Sequence, residues 1–274
     1  SRRCLHSYMQ CIKTMRSRTE KIVQAWAKGT GGKIIDPIPN DKNMPEDDYF
    51  FFGILRGSGD MMKRANSYYF ADHAYFKAGH DKVPAWYRIT KNAHVNSDLK
   101  DFPKDRYEKN FFRTLKPWRI TGSKIVVCPP TGAVEWYFDS HDWLETSIKT
   151  LKQHTDREIV VRDKPMNPQV SEKNGITALS GFNKNKDQKP LAEDLADAWA
   201  VVTFNSSVAI DAVCEGIPVF CGKECSAYQV AEHDLSKIET PRYADREPWL
   251  WHLAHSQFTL QEMASGYAYE FCTS

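Results

Sequence analysis

The 274-residue chain lacks any apolar run near the ~20 residues that a bilayer-spanning helix needs, and its mean hydropathy is −0.57. No membrane span is expected. Its basic start, SRRCLHSYMQCIKTMRSR, has no uninterrupted apolar segment, so no secretory leader is expected either. The chain opens on Ser1 rather than Met, which leaves room for a trimmed start and a missing short first strand. Cysteine is sparse and odd in number: seven, at 4, 11, 128, 214, 221, 225 and 272. Cys221 and Cys225 form a C-x3-C pair, but no second Cys/His pair stands at zinc-ribbon spacing, so no metal site is expected. Cys128 and Cys214 sit in apolar runs and read as buried thiols, a pattern that suits a reducing cytoplasm. No internal repeat is present.

What is there is an ordinary globular composition, 41% hydrophobic and 26% charged. Residues 6–28 read as a helix, with Met9, Ile12, Met15, Ile22, Val23 and Trp26 near one face and Gly-Thr-Gly-Gly as its stop. KIID, YFFFGIL and SYYFADHAYF read as strands, separated by the loop at 37–48 and by a loop and short helix at 56–66. Residues 77–118 are irregular and polar, with interleaved aromatics, and read as a long excursion. A second series follows: strand KIVVCPP, helix DWLETSIKTLKQHT, strand REIVVRDK, a polar loop over 165–190, helix LAEDLADAW, strand AVVTF, helix SSVAIDAVCEG and strand IPVFC. That alternation predicts a doubly wound parallel sheet. Residues 245–271 read as helical.

One stretch carries most of the chemistry, VVTFNSSVAIDAVCEGIPVF at 201–220. Asn205 and Ser206 follow a buried parallel strand, at the carboxyl end where open α/β sheets bind ligands. Ser206 or Ser207 can cap the next helix, whose N-terminal amides and partial positive charge suit a phosphate. Glu215 ends that helix and is placed to accept from a ribose diol. An ordinary helix cap with a solvated Glu accounts for the same residues.

Strand, Asn-Ser-Ser, helix and Glu-Gly-x-Pro-Val together resemble the donor-binding half of GT-B glycosyltransferases, above all the capsule-building and phage-encoded sugar transferases. REPWLWHLAHSQFTLQEMASG resembles the terminal segment of phage-type members. The resemblance covers roughly residues 120–265 and extends to the first third only in element order. It implies two Rossmann-like domains facing a cleft, with a final helix crossing back: 1–118 on the acceptor side, 119–245 for the nucleotide-sugar, and 246–274 as the terminal helical segment. No Asp-x-Asp occurs in the sequence, so a metal-held diphosphate is not expected and no cofactor is required beyond a nucleotide-sugar, guessed as a UDP-sugar carrying glucose. Cations and backbone donors must then grip the diphosphate. Arg162 and Lys164 stand at one strand's carboxyl end, and Thr131 and Gly132 at another.

Sugar transfer also needs a base for the acceptor hydroxyl. Asp72 and His73 interrupt an apolar, aromatic run at a strand's carboxyl end, and buried charge there is costly without a partner or a task. The expectation is Asp72 as base of an inverting displacement, His73 as its orienting partner or a contact for the leaving phosphate, and His80 as a lesser candidate. A turn-capping Asp72 and a core His73 remain the alternative. Gly57 and Gly59 mark a tight loop.

Net charge is only +2, yet residues 77–124 hold twelve Lys/Arg against five Asp/Glu. Arg88, Lys91, Arg106, Lys109, Arg113 and Lys116, interleaved with aromatics, predict either a face for a polyanion or a solvated surface. The first acceptor expected is therefore 5-hydroxymethylpyrimidine in phage DNA, acted on in the host cytoplasm. A capsule or surface glycan is the alternative, and a non-enzymatic nucleic-acid-binding module is the third. Oligomeric state is left open.

Overall fold

The computed structural model describes residues 7–13, 17–76, 84–96 and 98–274. His80, a lesser candidate base, and Cys4 lie outside the described residues. In chain order the elements are β1 (Met9–Ile12), α1 (Ser17–Thr30), β2 (Lys33–Ile35), β3 (Asp48–Phe52), α2 (Ser58–Arg64), β4 (Ser67–His73), β5 (Trp86–Lys91), α3 (Asp105–Asn110), β6 (Lys124–Cys128), α4 (Gly132–Phe138) and α5 (Trp143–His154). There follow β7 (Glu158–Val161), β8 (Met166–Lys173), β9 (Ile176–Lys184), α6 (Leu191–Ala196), β10 (Ala198–Thr203), α7 (Val208–Cys214), β11 (Val219–Phe220), α8 (Glu247–His255), β12 (Gln257–Thr259), α9 (Leu260–Ala264) and α10 (Tyr267–Thr273).

The chain divides into two compact units. Unit 1 takes residues 1–94, 170–180 and 254–274, and unit 2 takes 95–169 and 181–253. Among the described residues no helix is long and apolar enough to cross a membrane.

Unit 1 is built on a six-stranded sheet in the order β12-β5-β4-β3-β1-β2. Strands β2, β1, β3 and β4 run parallel, and β5 and β12 join by antiparallel pairing. The first strand, Met9–Ile12, lies inside the segment read as one helix. Met9 and Ile12 fit a helical period and a short strand equally well, and pairing on both sides with Lys33–Ile35 and Asp48–Phe50 decides for strand. The described helix, α1, covers Ser17–Thr30. Its Trp26 is fully buried and stacks on Phe50 with ring centroids 4.6 Å apart.

The segment 245–271, read as wholly helical, contains β12. Its buried Gln257 accepts from the amides of Tyr75 (2.8 Å) and Phe76 (3.1 Å), tying down the chain just beyond β4. The excursion 77–118 likewise contains β5, whose alternating Trp86, Arg88 and Thr90 interrupt no ladder.

Unit 2 holds a four-stranded parallel sheet in the order β11-β10-β6-β7. Its two central strands, β6 and β10, are nearly continuous apolar runs, as expected for the interior of a parallel sheet: Ile125, Val126, Val127, Ala200, Val201 and Val202 are all buried. Leu151 of α5 and Ile238 pack on one face with Trp199 and Phe220. An unexpected short helix, α4, follows β6.

The polar loop expected at 165–190 instead forms the two-stranded β8–β9 hairpin. Its turn residues Asn174 (φ 53°) and Gly175 (φ 71°) are both left-handed, as a two-residue I′ turn requires.

Candidate functional site

In unit 2 the chain passes from β6 to β7 on one side and later places β10 on the other side of β6. The strand order therefore reverses between β6 and β10, the kind of position where open α/β sheets leave a crevice for ligands. Thr203 pairs with Cys128, so both strands end level with each other. The segments that leave them, Pro129–Gly132 and Phe204–Ser207, emerge side by side at this edge. Four of the expected donor-binding residues, Thr131, Gly132, Asn205 and Ser206, are thus brought together, with Ser207 exposed beside them.

The local structure there is well specified. Thr131 caps α4, its hydroxyl accepting from Val134 N at 3.4 Å. Ser206 N donates to Thr203 Oγ1 (3.1 Å), and Thr203 Oγ1 in turn donates to Cys128 O (2.8 Å), which locks the two strand ends together. Ser206 Oγ accepts from Val208 N at 3.3 Å, so this serine, rather than Ser207, bonds the start of α7. The amide of Gly132 donates to Asn167 Oδ1 at 2.9 Å. A Cβ on Gly132 would stand 2.6 Å from Gln169 Oε1, so the absence of a side chain at 132 makes room for the β8 residues. Asn167 and Gln169 are site neighbours that sequence reasoning passed over as loop.

Two expected donor residues, Arg162 and Glu215, are placed otherwise. Arg162 continues the β7 ladder through its amide to Val127 O, but its side chain turns to Asp194 Oδ2 (2.7 Å) and Lys189 O (2.7 Å). Only 10% of the Arg162 side chain and 11% of that of Asp194 are exposed, so this is a buried structural pair. Lys164 is exposed beyond the same strand. Glu215 ends α7, which carries the chain back to the amino edge before β11 begins, and it pairs there with Lys116. The return crossover that any parallel βαβ unit needs thus keeps Glu215 away from Asn205 and Ser206.

In unit 1, Asp72 and His73 do end β4 at its carboxyl edge, but the pleat sends consecutive side chains to opposite faces. Asp72 stands directly across from Arg88 of β5. Its Oδ2 receives Arg88 Nη2 at 3.4 Å and its Oδ1 receives the amide of His73 at 2.7 Å. Arg88 also lies over the rings of Tyr75 (5.7 Å) and Phe70 (6.0 Å). Burial pushes the Asp72 carboxyl up, but the Arg88 guanidinium, His73 with its amide, and His94 outweigh it and hold the group below the usual carboxylate value. His73 is exposed, and its ring meets the edge of Phe52 with centroids 5.8 Å apart.

His94, which the sequence reading did not single out, is buried against Phe70 with ring centroids 4.5 Å apart. Burial and Arg88 push its pKa down from 6.5 to about 3, against an upward pull from Asp72. The unfolded chain protonates His94 below 6.5, whereas the folded unit resists until near 3. This contribution to stability is therefore complete above pH 6.5 and is lost on acidification at about 1.4 kcal/mol per pH unit. Chemical denaturation between pH 7 and 4.5 is expected to show that slope, and His94→Asn to flatten it. An unchanged slope in the variant would remove His94 as the cause.

The glycine loop after β3 has its own purpose. Gly57 is left-handed (φ 89°), and Asp60 behind it is buried. Asp60 accepts from Thr177 N (2.7 Å), Thr177 Oγ1 (3.0 Å) and Asn40 Nδ2 (3.2 Å), and Gly57 N donates to Thr177 O (3.1 Å). The loop thus clasps residues 175–177 of the hairpin.

No family model matches the chain, and no curated protein does. Solved structures similar to it include two of KpsC from Thermosulfurimonas dismutans. The one described as a beta Kdo 2,7 transferase is 11% identical with a TM-score of 0.48, over 96% of this chain and 99% of that one. The one described as a beta Kdo 2,4 transferase is 12% identical, also with a TM-score of 0.48, over 93% and 92%.

The basic residues expected to track a phosphate backbone are split between the units and largely compensated. Arg88 is paired as described, and Lys91, also in unit 1, has its ammonium 5.7 Å from the Tyr69 ring centroid. In unit 2, Arg113 pairs with Asp211 at 2.8 Å and Lys116 with Glu215. Arg119 donates to the carbonyls of Leu195, Ala196 and Ala198. Lys109 is exposed on α3 and Arg106 half-buried. A cavity of about 360 Å³ lies between α3 and α8, lined by Tyr107, Leu115, Leu250 and Trp251 together with Lys104 and Glu247.

Proposed function

We propose that this chain is a glycosyltransferase that moves a sugar from a nucleotide-sugar to a hydroxyl of a carbohydrate acceptor, of the surface-glycan kind. The observation that carries this reading is the strand-order reversal between β6 and β10, with Thr131, Gly132, Asn205 and Ser206 gathered on it. Small hydroxyl and amide side chains at two level strand ends suit a diphosphate and a ribose better than an apolar ligand. Asp72 and His73 at the carboxyl edge of β4 supply proton-handling groups in unit 1. Donor binding here uses hydroxyls and amides, with Lys164 as the exposed cation near this edge.

The compensated cations favour a carbohydrate acceptor over DNA. A phosphate-tracking surface needs several uncommitted Lys/Arg on one face. Arg88, Arg113, Lys116 and Arg119 instead satisfy carboxylates and carbonyls of their own unit.

A thermal-shift screen against UDP-, GDP- and CMP-sugars tests the reading. A donor at 100 times its Kd should stabilise the protein by about 2.7 kcal/mol, and Asn205→Ala with Ser206→Ala should reduce that shift. Silence from every sugar nucleotide, in both the shift and a hydrolysis assay, would remove the proposal. Transfer onto hydroxymethylated DNA but not onto oligosaccharides would restore the nucleic-acid acceptor.

A further inference from the structure

We propose that the cleft between α3 and α8 binds a neutral, hydroxyl-rich sugar ring of a glycan; that this glycan is the acceptor of the transfer rests on the sugar-transfer reading. The cleft is lined by residues of unit 2 alone and holds about 360 Å³. That volume stands near the low end of the roughly 300–1,000 Å³ of small-molecule sites, and suits a sugar ring rather than a folded partner.

Each helix gives the cleft one face. On α8, Glu247, Leu250 and Trp251 follow the i, i+3, i+4 spacing that brings side chains together over one turn. Lys104, Tyr107 and Glu108 repeat that spacing at the start of α3. Arg113 and Leu115 complete the lining from the segment after α3. Trp249 stands two positions before Trp251, about 200° away around the helix. It is fully buried and donates from Nε1 to Ser226 O at 2.8 Å. The same helix thus sends one tryptophan into the interior and leaves the other half-buried at the cleft. The Tyr107 hydroxyl donates to Arg113 O (2.6 Å) and accepts from Arg113 N (3.0 Å), which holds the phenol ring in place.

The charges narrow the class of ligand. Two cations, Lys104 and Arg113, accompany two carboxylates, Glu108 and Glu247, so the lining is neutral in sum. A polyanion finds no surplus of cations here. An apolar ligand would strip water from four charged groups and return no hydrogen bonds. A sugar ring meets both demands. Its C–H face packs on an indole or phenol ring, while its hydroxyls donate to carboxylates and accept from ammonium and guanidinium groups. Lys104 is held by Glu108 at 2.9 Å and Arg113 by Asp211 at 2.8 Å, which fixes where both cations stand. The Lys104 ammonium is raised above its usual value, by its bond to Glu108 first and more weakly by the charge of Glu247 on the other helix. The Glu247 carboxylate itself has no hydrogen-bond or ion-pair partner among the described residues and is exposed, open to a ligand hydroxyl.

Saturation-transfer NMR titration with neutral gluco-, manno- and galacto-configured oligosaccharides tests this, with oligogalacturonate as the acidic counterpart. At least one neutral oligosaccharide should bind saturably. Trp251→Ala should weaken it about tenfold or more, and Glu247→Gln about threefold or more. Glu247 is exposed, so its variant should keep the melting temperature of the parent and remains decisive even where Trp251→Ala loses the fold. Failure of every neutral oligosaccharide to bind overturns the proposal. So does affinity within twofold of the parent in Glu247→Gln and in a folded Trp251→Ala, or tighter binding of oligogalacturonate. Oligosaccharide binding that both variants weaken, in a protein silent towards every sugar nucleotide, upholds the cleft and removes the sugar-transfer reading, so the two failures are told apart.

Discussion

Arg162→Ala is expected to cost about 3–5 kcal/mol of stability and to do so with or without a nucleotide-sugar present. The variant strips one partner from an ion pair whose two side chains are 10% and 11% exposed. Asp194 would keep a buried negative charge, with Lys124 Nζ 3.9 Å away as its remaining cation, and breaking such a pair on one side costs far more than removing both partners. Lys189 O would also lose its donor at 2.7 Å. The pair ties the end of β7 to α6, so its loss loosens the edge of the unit 2 sheet. Urea unfolding followed by circular dichroism measures the effect. The double variant Arg162→Met, Asp194→Leu should recover most of the loss, because two apolar side chains of similar volume need no partner. If Arg162 gripped a diphosphate instead, the single variant would keep its stability and lose only donor affinity. That outcome would refute the structural assignment.

Gly216→Ala is expected to be comparably damaging, by roughly 3 kcal/mol or more, for a backbone reason. Gly216 has φ 80°, where a side chain is strained, and a Cβ built there would lie 2.0 Å from Pro117 O. The obstacle is main chain and is itself held in place, since Arg119 N donates to Gly216 O at 2.7 Å and Lys116 N to Cys214 O at 2.9 Å. Relief therefore requires the whole 116–119 segment to move off α7. Gly181→Ala is the control, because its Cβ would meet nothing within 4 Å and its φ is ordinary. It should stay within about 0.5 kcal/mol of the parent. Equal melting temperatures for the two variants would show that the 116–119 segment yields freely.

These two residues also show how differently the sequence can be read. Gly216 in Glu-Gly-Ile-Pro signals a helix end before a strand, and α7 and β11 stand where the pattern put them. Arg162 at the end of a β run looked like a phosphate ligand because nothing local discloses Asp194, 32 residues later. The Asn174-Gly175 pair was a legible turn signal inside a segment read as loop, and the short alternating strands around it were masked by their polarity. His94 carried no local signal, as its setting comes from Phe70, Arg88 and Asp72 on neighbouring strands. Asp72 and His73 were legible as an interruption of an apolar run. Their division between two faces was implied by the period of two in any strand and went unused.

The sequence by itself determined the α/β alternation, the parallel core strands of unit 2 and the gathering of Thr131 and Asn205–Ser206 at strand ends. Those follow from periodicity, capping chemistry and turn residues, which act over a few positions. Tertiary structure alone decided that Met9–Ile12 is a strand, that β12 joins the unit 1 sheet and that Glu215 stands at the opposite edge from Ser206. It also decided which cations are spent on carboxylates. Short segments have no preference strong enough to withstand strand pairing, and an ion pair depends on distances that sequence separation does not encode.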